Sequence, residues 1–302
     1  MGRVFSYESI ESGQVPSPED FNRAVSIFTN LTELEVQRGT IDGSFIYGSV
    51  ANGTPNYRSD LDTFIALTDN RPKYYAAVRG IIRGLITETN NTIPVVPIIQ
   101  TKAALAEGSH ELDRFFGRHL VGEHRIVQGN DPAQYMQFAN WPSSQILAFY
   151  LFQKRRRLAH TYTSVEPLDV DEGGLQRMLE LPVALGRKIL QATAEVSEVP
   201  PDTVEAVEKS ADKPLILDES RKLFADHGVD SGFEDLIASN RDYNAVLGRA
   251  LTGSVGEIAY NDVIKSLHAK LPQAIAWLET VEKTFLPAFG EHQFTPEFTS
   301  TS

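Results

Sequence analysis

The chain has no cysteine among its 302 residues, which excludes disulfide bonds and reactions that depend on a thiolate. Positive charge is also scarce, because 28 Lys and Arg residues stand against 40 Asp and Glu residues, giving a formal net charge of −12. Sequence-independent binding to DNA or RNA needs a basic surface that displaces counterions. The composition therefore argues against nucleic acid as a partner and against template-directed polymerisation.

Long hydrophobic runs are missing as well. No stretch approaches the roughly 20 apolar residues of a membrane-spanning helix, and residues 1–8 lack the apolar core of a signal peptide. We therefore expect a cytoplasmic protein with no membrane partner. The length is about twice that of a typical domain, and a hydrophobic fraction of 41% suffices for two cores.

The segment Ile46-Tyr47-Gly48-Ser49 predicts a strand that ends in a tight turn. Glycine permits such a turn because it has no Cβ, and the backbone N–H groups of the turn can face a phosphate. About ten residues later, Asp60 and Asp62 flank one leucine. If residues 61–67 form a strand, both carboxylates lie on one face, where a hard cation such as Mg²⁺ relieves their repulsion. The alternative is an Asx-rich hairpin without a metal.

This pattern of Gly-Ser, a short spacer and Asp-x-Asp on an apolar strand resembles the signature of the polymerase-beta-like nucleotidyltransferase superfamily, over roughly residues 40–130. The resemblance implies Mg²⁺ as cofactor, bound by Asp60 and Asp62 as catalytic metal ligands. A nucleoside triphosphate, with ATP expected, is the implied co-substrate. The residues that the resemblance assigns to the nucleotide are Gly48, Ser49, Arg58 and Ser59.

The third carboxylate of the superfamily pattern is missing. It is expected on a later strand, yet the candidate strand at residues 92–100 has no acidic residue and contains two prolines, which predict an edge strand. Three explanations stay open. The base comes from the second domain, the acceptor is activated without one, or catalysis is weak. Candidate bases outside the strand are Glu111, Asp113 and the acidic segment at residues 169–172.

The chain is predicted to have an α+β fold with two domains. Residues 1–140 are expected to form a polymerase-beta-like nucleotidyltransferase domain, a small mixed sheet with flanking helices. Helical patterns dominate after that boundary, so residues 141–302 are expected to form an all-α helical bundle. In the first domain, a helix is predicted at residues 109–119 and a strand at residues 123–129. In the second, helices are predicted at residues 143–160, 174–195, 202–210, 232–251 and 255–285, and the end after residue 291 is expected to be a frayed tail.

The helical region offers further cations for a triphosphate. Lys154 and Arg157 lie three residues apart and share a helix face, although a solvated helix end explains them equally well. Arg249 belongs to a segment that resembles the helical domain of aminoglycoside adenylyltransferases, which implies a triphosphate contact. In that segment Asn261 stands where the family has a lysine, and a helix-turn-helix joined at Gly253 is the alternative.

These observations predict a Mg²⁺-dependent nucleotidyltransferase. It would transfer a nucleoside monophosphate to a hydroxyl of a small-molecule acceptor held between the domains, and an acidic cleft suits a cationic acceptor. Two alternatives stay open. One is a catalytically weakened nucleotide-binding or regulatory protein on the same fold, and the other is a toxin-like transferase that modifies RNA ends or protein.

Overall fold

A computed structural model describes residues 3–164, 174–196 and 213–289. Within these ranges one sheet has four strands, in the order β3-β2-β1-β4: β1 (Ile41–Tyr47), β2 (Leu61–Leu67), β3 (Val95–Thr101) and β4 (Arg125–Gly129). β1 pairs antiparallel with β2 and β4, whereas β2 and β3 are parallel. The predicted small mixed sheet is confirmed, and β2 has the predicted bounds.

Six helices flank these strands in the described part of the first 140 residues: α1 (Tyr7–Glu11), α2 (Pro18–Gln37), the single turn α3 (Gly48–Ala51), α4 (Pro72–Glu88), α5 (Lys102–Glu107) and α6 (Arg114–Gly122). α2 begins where the Asp20 carboxylate accepts the backbone N–H of Ser17 at 2.7 Å. α4 is followed by Asn90 and Asn91 in the left-handed region, which stops the helix.

The two faces of the sheet bury different cores. One face packs against α2 and α4, and its core includes Phe21, Phe28, Leu61, Ile65 and Leu85. The other face packs against α5 and α6, and its core includes Phe45, Tyr47, Phe64, Leu105 and Leu120. Because side chains alternate along a strand, Asp62 lies on the same face as Phe64, opposite to Leu61.

Both edge strands, β3 and β4, begin later in the chain than predicted. β3 is an edge strand, as its prolines predicted, but it begins at Val95 rather than at residue 92. The strand predicted to start at Glu123 starts at Arg125, because Glu123 caps the end of α6. The helix predicted over residues 109–119 begins at Arg114, where the Asp113 carboxylate accepts the N–H of Phe116 at 2.9 Å.

An ion cluster lies at the N-terminal end of β1. The Asp42 carboxylate accepts hydrogen bonds from Lys102 Nζ at 2.8 Å, Tyr135 OH at 2.8 Å and Asn130 Nδ2 at 3.2 Å. Burial alone would raise the pKa of Asp42, but these three donors outweigh it and hold the pKa below the ordinary value of 3.8. The cluster ties β1 to the segment after β4.

The described chain after residue 140 is helical, with α7 (Ser143–Ser164), α8 (Gly174–Val196), α9 (Lys213–Asp226), α10 (Asp230–Leu251), α11 (Glu257–Ala269) and α12 (Leu271–Phe285). Phe224 packs against the rings of Phe233, Trp277 and Phe285, at centroid distances of 4.8, 5.7 and 5.6 Å. Together with the mixed sheet, these helices confirm the predicted α+β class.

One helix prediction was wrong, and one helix was not predicted. The single helix predicted over residues 255–285 is divided into α11 and α12, because the chain restarts at Leu271 with Pro272 in the first turn. α9 was not predicted, and it buries residues spaced four apart, Ile216, Ser220 and Phe224. The predicted helix at residues 202–210 and the predicted tail lie outside the described residues.

The chain divides into two compact units, Met1–Asn140 with Gly248–Tyr260, and Trp141–Leu247 with Asn261–Ser302. The return of residues 248–260 to the first unit was not predicted. Within that unit, Tyr260 OH donates to the carbonyl of Phe5 at 2.8 Å. The division into a nucleotidyltransferase domain and a bundle domain stays a prediction. No described helix has the length and apolar character needed to cross a membrane.

Candidate nucleotide and metal site

Gly48 directly follows β1 as the first residue of the short helix α3, with a φ of 71°. A Cβ at this position would lie 2.6 Å from Oδ2 of Asp62. Glycine is therefore required twice, once by the left-handed backbone and once by the carboxylate against it. The tight turn predicted from the sequence is present, and it lies directly beside the predicted carboxylate pair.

Asp60 and Asp62 are both buried, with 6% and 3% of their surface exposed. Asp62 lies opposite Tyr47 in the antiparallel β1–β2 pair. The pKa of the Tyr47 phenol is raised by burial and, in addition, by the negative charges of Asp62 and Asp60. Both carboxylates therefore lie near one phenol, as strand alternation predicted for a shared face.

Ser49 stands in the first turn of α3, and its hydroxyl donates to Ser59 Oγ at 3.0 Å. Ser59 Oγ also accepts the backbone N–H of Asn56 at 3.0 Å, so the loop before β2 holds the Ser49 side chain. Two residues assigned to the nucleotide by their position in the motif are thus in direct contact. Their roles in binding a nucleotide stay predictions.

Arg58 is buried and has a structural contact of its own. Its Nε donates to the carbonyl of Arg3 at 3.1 Å, and the backbone N–H of Arg3 donates to the carbonyl of Arg58 at 2.7 Å. The N-terminal segment therefore lies along the loop that leads into Asp60. Periodicity could not predict this contact, because it joins positions 55 residues apart.

Arg249 lies in the segment 248–260, which belongs to the first unit. The same segment contacts the N-terminal residues, since Tyr7 OH reaches the carbonyl of Val255 at 3.5 Å and the rings of Tyr7 and Tyr260 are 5.8 Å apart. Arg249 is exposed, and its predicted contact with triphosphate stays a prediction.

Lys154 and Arg157 lie on α7 in the second unit. The ammonium group of Lys154 and that of Lys188 lie 5.0 and 5.1 Å from the centroid of the Tyr150 ring. The pKa of Lys154 is lowered to about 8, first by burial, against the opposing effect of Glu180, and further by nearby cations that include Arg157. Arg157 itself is exposed.

The position that would carry a third carboxylate beside the pair is apolar. In the parallel β2–β3 pair, Asp62 lies directly opposite Val96, and the side chains of such partners lie on the same face. Val96 is 42% exposed. Of the candidate bases, Asp113 caps α6, Glu111 is exposed, and the segment at residues 169–172 lies outside the described residues.

The residues of the site fit a divalent cation. Two buried carboxylates one residue apart, beside a glycine turn whose backbone approaches one of them, suit Mg²⁺ that takes its remaining ligands from water and phosphate oxygens. The described ranges contain no cluster of three or more His, Cys, Asp or Glu that could hold a metal on its own.

No protein-family model and no curated protein matches the sequence. Among solved structures, the chain is similar to spectinomycin adenyltransferase AAD(9) from Enterococcus faecialis, determined with ATP and spectinomycin. The TM-score is 0.44 and the sequence identity is 12%, over 83% of this chain and 99% of that one. A likeness of this size assigns neither a family nor an activity, so the function has to be inferred from the site itself.

Proposed function

We propose that the protein is a Mg²⁺-dependent nucleotidyltransferase that transfers a nucleoside monophosphate from a nucleoside triphosphate, with ATP expected, to a hydroxyl of a small molecule. The observation that carries the proposal is the contact between the Gly48 turn and the Asp62 carboxylate, with Asp60 on the same face. A phosphate cradle and a pair of metal ligands in direct contact are what nucleotidyl transfer requires.

The roles of the residues follow from their chemistry. Backbone N–H groups of the turn and the Ser49 hydroxyl would hold phosphate oxygens, as neutral donors that need no charged side chain. Asp60 and Asp62 would hold Mg²⁺, which supplies positive charge to the phosphates when bound. Ser59 would keep the Ser49 hydroxyl in place through the 3.0 Å contact between their oxygens.

The reaction forms one bond and breaks another. The acceptor oxygen attacks the α-phosphorus, the bond from that phosphorus to the bridging oxygen breaks, and pyrophosphate leaves. The proton of the acceptor hydroxyl passes to a base or to water. The buried Tyr47 phenol is a poor candidate for that base, because its raised pKa keeps it protonated at neutral pH.

Arg249 would add a cation to the proposed nucleotide contacts, because its segment belongs to the same compact unit as Asp60 and Asp62. Lys154 and Arg157 lie on α7 in the second unit, and their contact with a triphosphate stays a prediction. The net charge of −12 favours a cationic acceptor over a nucleic acid.

A second candidate is a nucleotide-binding protein that no longer catalyses efficiently. The observation in its favour is Val96, because an apolar residue lies beside Asp62 at a place where a third carboxylate could act. Binding would then persist, since the turn and the metal ligands do not involve β3, while the chemical step would be slow.

The two candidates are distinguished by measuring pyrophosphate release. The wild-type protein is incubated with ATP, Mg²⁺ and a panel of hydroxylated small molecules, cationic ones included, and the same mixtures are run with EDTA. Acceptor-dependent, Mg²⁺-dependent release supports the transferase. Tight Mg·ATP binding without release for any acceptor supports the second candidate, and the absence of nucleotide binding contradicts both.

A further inference from the structure

The helix α3 is one turn long, so its own hydrogen bonds cannot fix its position. Contacts at its two ends must do so. At its start, Gly48 packs against Asp62, and Ser49 is held by Ser59. At its end, Asn52 caps the helix, and its Nδ2 donates to Oε2 of Glu123 at 3.3 Å. This second contact joins positions 71 residues apart.

Glu123 is buried at the end of α6, and two elements approach the same carboxylate oxygen. Nδ1 of His119, one turn earlier on α6, lies 3.3 Å from Oε2. α6 is in turn anchored on the site, because the ring of Phe116 meets that of Tyr47 edge-on at 6.1 Å. The Glu123 carboxylate therefore connects Asn52, at the end of α3, to α6. α6 in turn packs against Tyr47, the last residue of β1 before the turn.

We propose that Glu123 is a positioning residue for nucleotide binding, which holds the Gly48–Ser49 turn through Asn52. This inference rests on the proposed function and deepens it. Glu123 does not touch the reacting atoms. Its effect is exerted through the orientation of the turn amides, so it concerns the affinity for the triphosphate rather than the chemical step.

The expected effect is specific. Replacing the carboxylate removes a charge-assisted acceptor from Asn52, so Glu123→Ala should raise the KM for ATP about tenfold and leave kcat within about twofold. Amide hydrogen exchange over residues 48–53 should become faster in the nucleotide-free protein, because the turn loses its anchor. That second readout does not depend on turnover.

The decisive variant exchanges the amide of position 52 with the carboxylate of position 123. In the double variant Asn52→Asp/Glu123→Gln, the amide of residue 123 can donate to the carboxylate of residue 52, so the hydrogen bond returns with its polarity reversed. We expect the double variant to recover most of the lost affinity and the slow exchange, whereas Asn52→Ala alone resembles Glu123→Ala. Lys102→Met, at the other end of β1, is the control for a general loss of stability.

Failures of the two proposals look different. A wild-type protein that binds no Mg·ATP overturns the proposed function and this inference with it. A wild-type protein that binds and turns over ATP, with Glu123→Ala unchanged in KM and in exchange, overturns only the positioning role. If Lys102→Met raises KM as much as Glu123→Ala does at equal thermal stability, the effect is structural and the positioning role is contradicted as well.

Discussion

Carboxylates with little exposure lie beside both ends of strand β1, but their neighbours differ between the two ends. At the first end, the single carboxylate of Asp42 is matched by the ammonium group of Lys102 and by two neutral donors. At the other end, Asp60 and Asp62 lie together near the Tyr47 phenol, and one of them packs against a glycine turn. The first arrangement pairs one carboxylate with a cation, and the second places two carboxylates beside a glycine turn.

Under the proposed function, this difference separates a carboxylate that stabilises the fold from a pair that would bind a metal. A carboxylate held by a cation and two neutral donors has a lowered pKa and stabilises the fold. Two carboxylates on one face repel each other, and a bound cation relieves that repulsion. Little of any of the three side chains is exposed, so the second carboxylate and the adjacent glycine turn, rather than burial itself, distinguish the candidate site.

The largest loss of activity is expected when one carboxylate of the Asp60–Asp62 pair is removed. Asp62→Asn removes metal-binding charge without removing packing volume, so pyrophosphate release should fall about a thousandfold, which corresponds to roughly 4 kcal/mol of lost transition-state stabilisation. The melting temperature should change by only a few degrees. Asp42→Asn serves as the control from the other end of β1, and similar losses of activity in both variants would remove the distinction between the ends.

The next largest loss of activity is expected from a substitution of Gly48, in the turn after β1. Gly48→Ala should lower turnover about a hundredfold, because the left-handed φ costs roughly 1–2 kcal/mol in any L-residue and the new Cβ meets the Asp62 carboxylate. Gly39→Ala is the matched control, since Gly39 has a φ of 69° and a Cβ there would have no heavy atom within 4 Å. Both variants should lose similar stability in urea unfolding. Equal activity in the two would show that the contact with Asp62 is irrelevant.

At the N-terminal end of β1, Asp42→Asn should lower the free energy of unfolding by about 2 kcal/mol at pH 7 and leave catalysis intact. The pKa of Asp42 is lowered by folding, so its stabilisation is present above about pH 4 and is lost as the pH falls through the folded pKa. Denaturation at pH 7 and pH 3 should therefore differ less in the variant than in the wild type. An unchanged acid dependence would contradict this assignment.

The smallest expected effect adds a carboxylate. Val96→Glu places an acid opposite Asp62, at an exposed edge position that tolerates a polar side chain. If the absence of a base limits the chemical step, kcat should rise about tenfold, below the usual range for general bases because the position is not optimised. Val96→Gln has nearly the same size and no charge, so a rise in both variants would exclude base catalysis as the reason.

The local features of the site were predictable from sequence. The bounds of β2, the shared face of Asp60 and Asp62 and the edge position of β3 follow from alternation and from proline chemistry. The short spacing between the Gly48 turn and the carboxylates also made their proximity predictable. These features depend on neighbours within about 15 residues, where backbone geometry restricts the outcome.

The contacts that complete the site were not predictable in the same way. Arg58 with Arg3, Asn52 with Glu123 and Tyr260 with Phe5 join positions far apart in the chain, and no periodicity marks them. The sequence pattern even places Glu123 in the wrong element, a strand instead of the end of α6. The division between α11 and α12 was missed because the apolar pattern continues across residue 270, while a proline in the following turn is compatible with a helix start.

The most direct test of the central claim is calorimetric binding of a nonhydrolysable ATP analogue to the wild type and to Asp60→Asn/Asp62→Asn, with Mg²⁺ and with EDTA. We expect the wild type to bind the analogue at least about tenfold more tightly with Mg²⁺, and the double variant to lose this dependence while retaining its fold. Equal affinities with and without Mg²⁺ in the wild type, or an unchanged Mg²⁺ dependence in the double variant, would contradict the claim that Asp60 and Asp62 form the metal site of a nucleotide-binding turn.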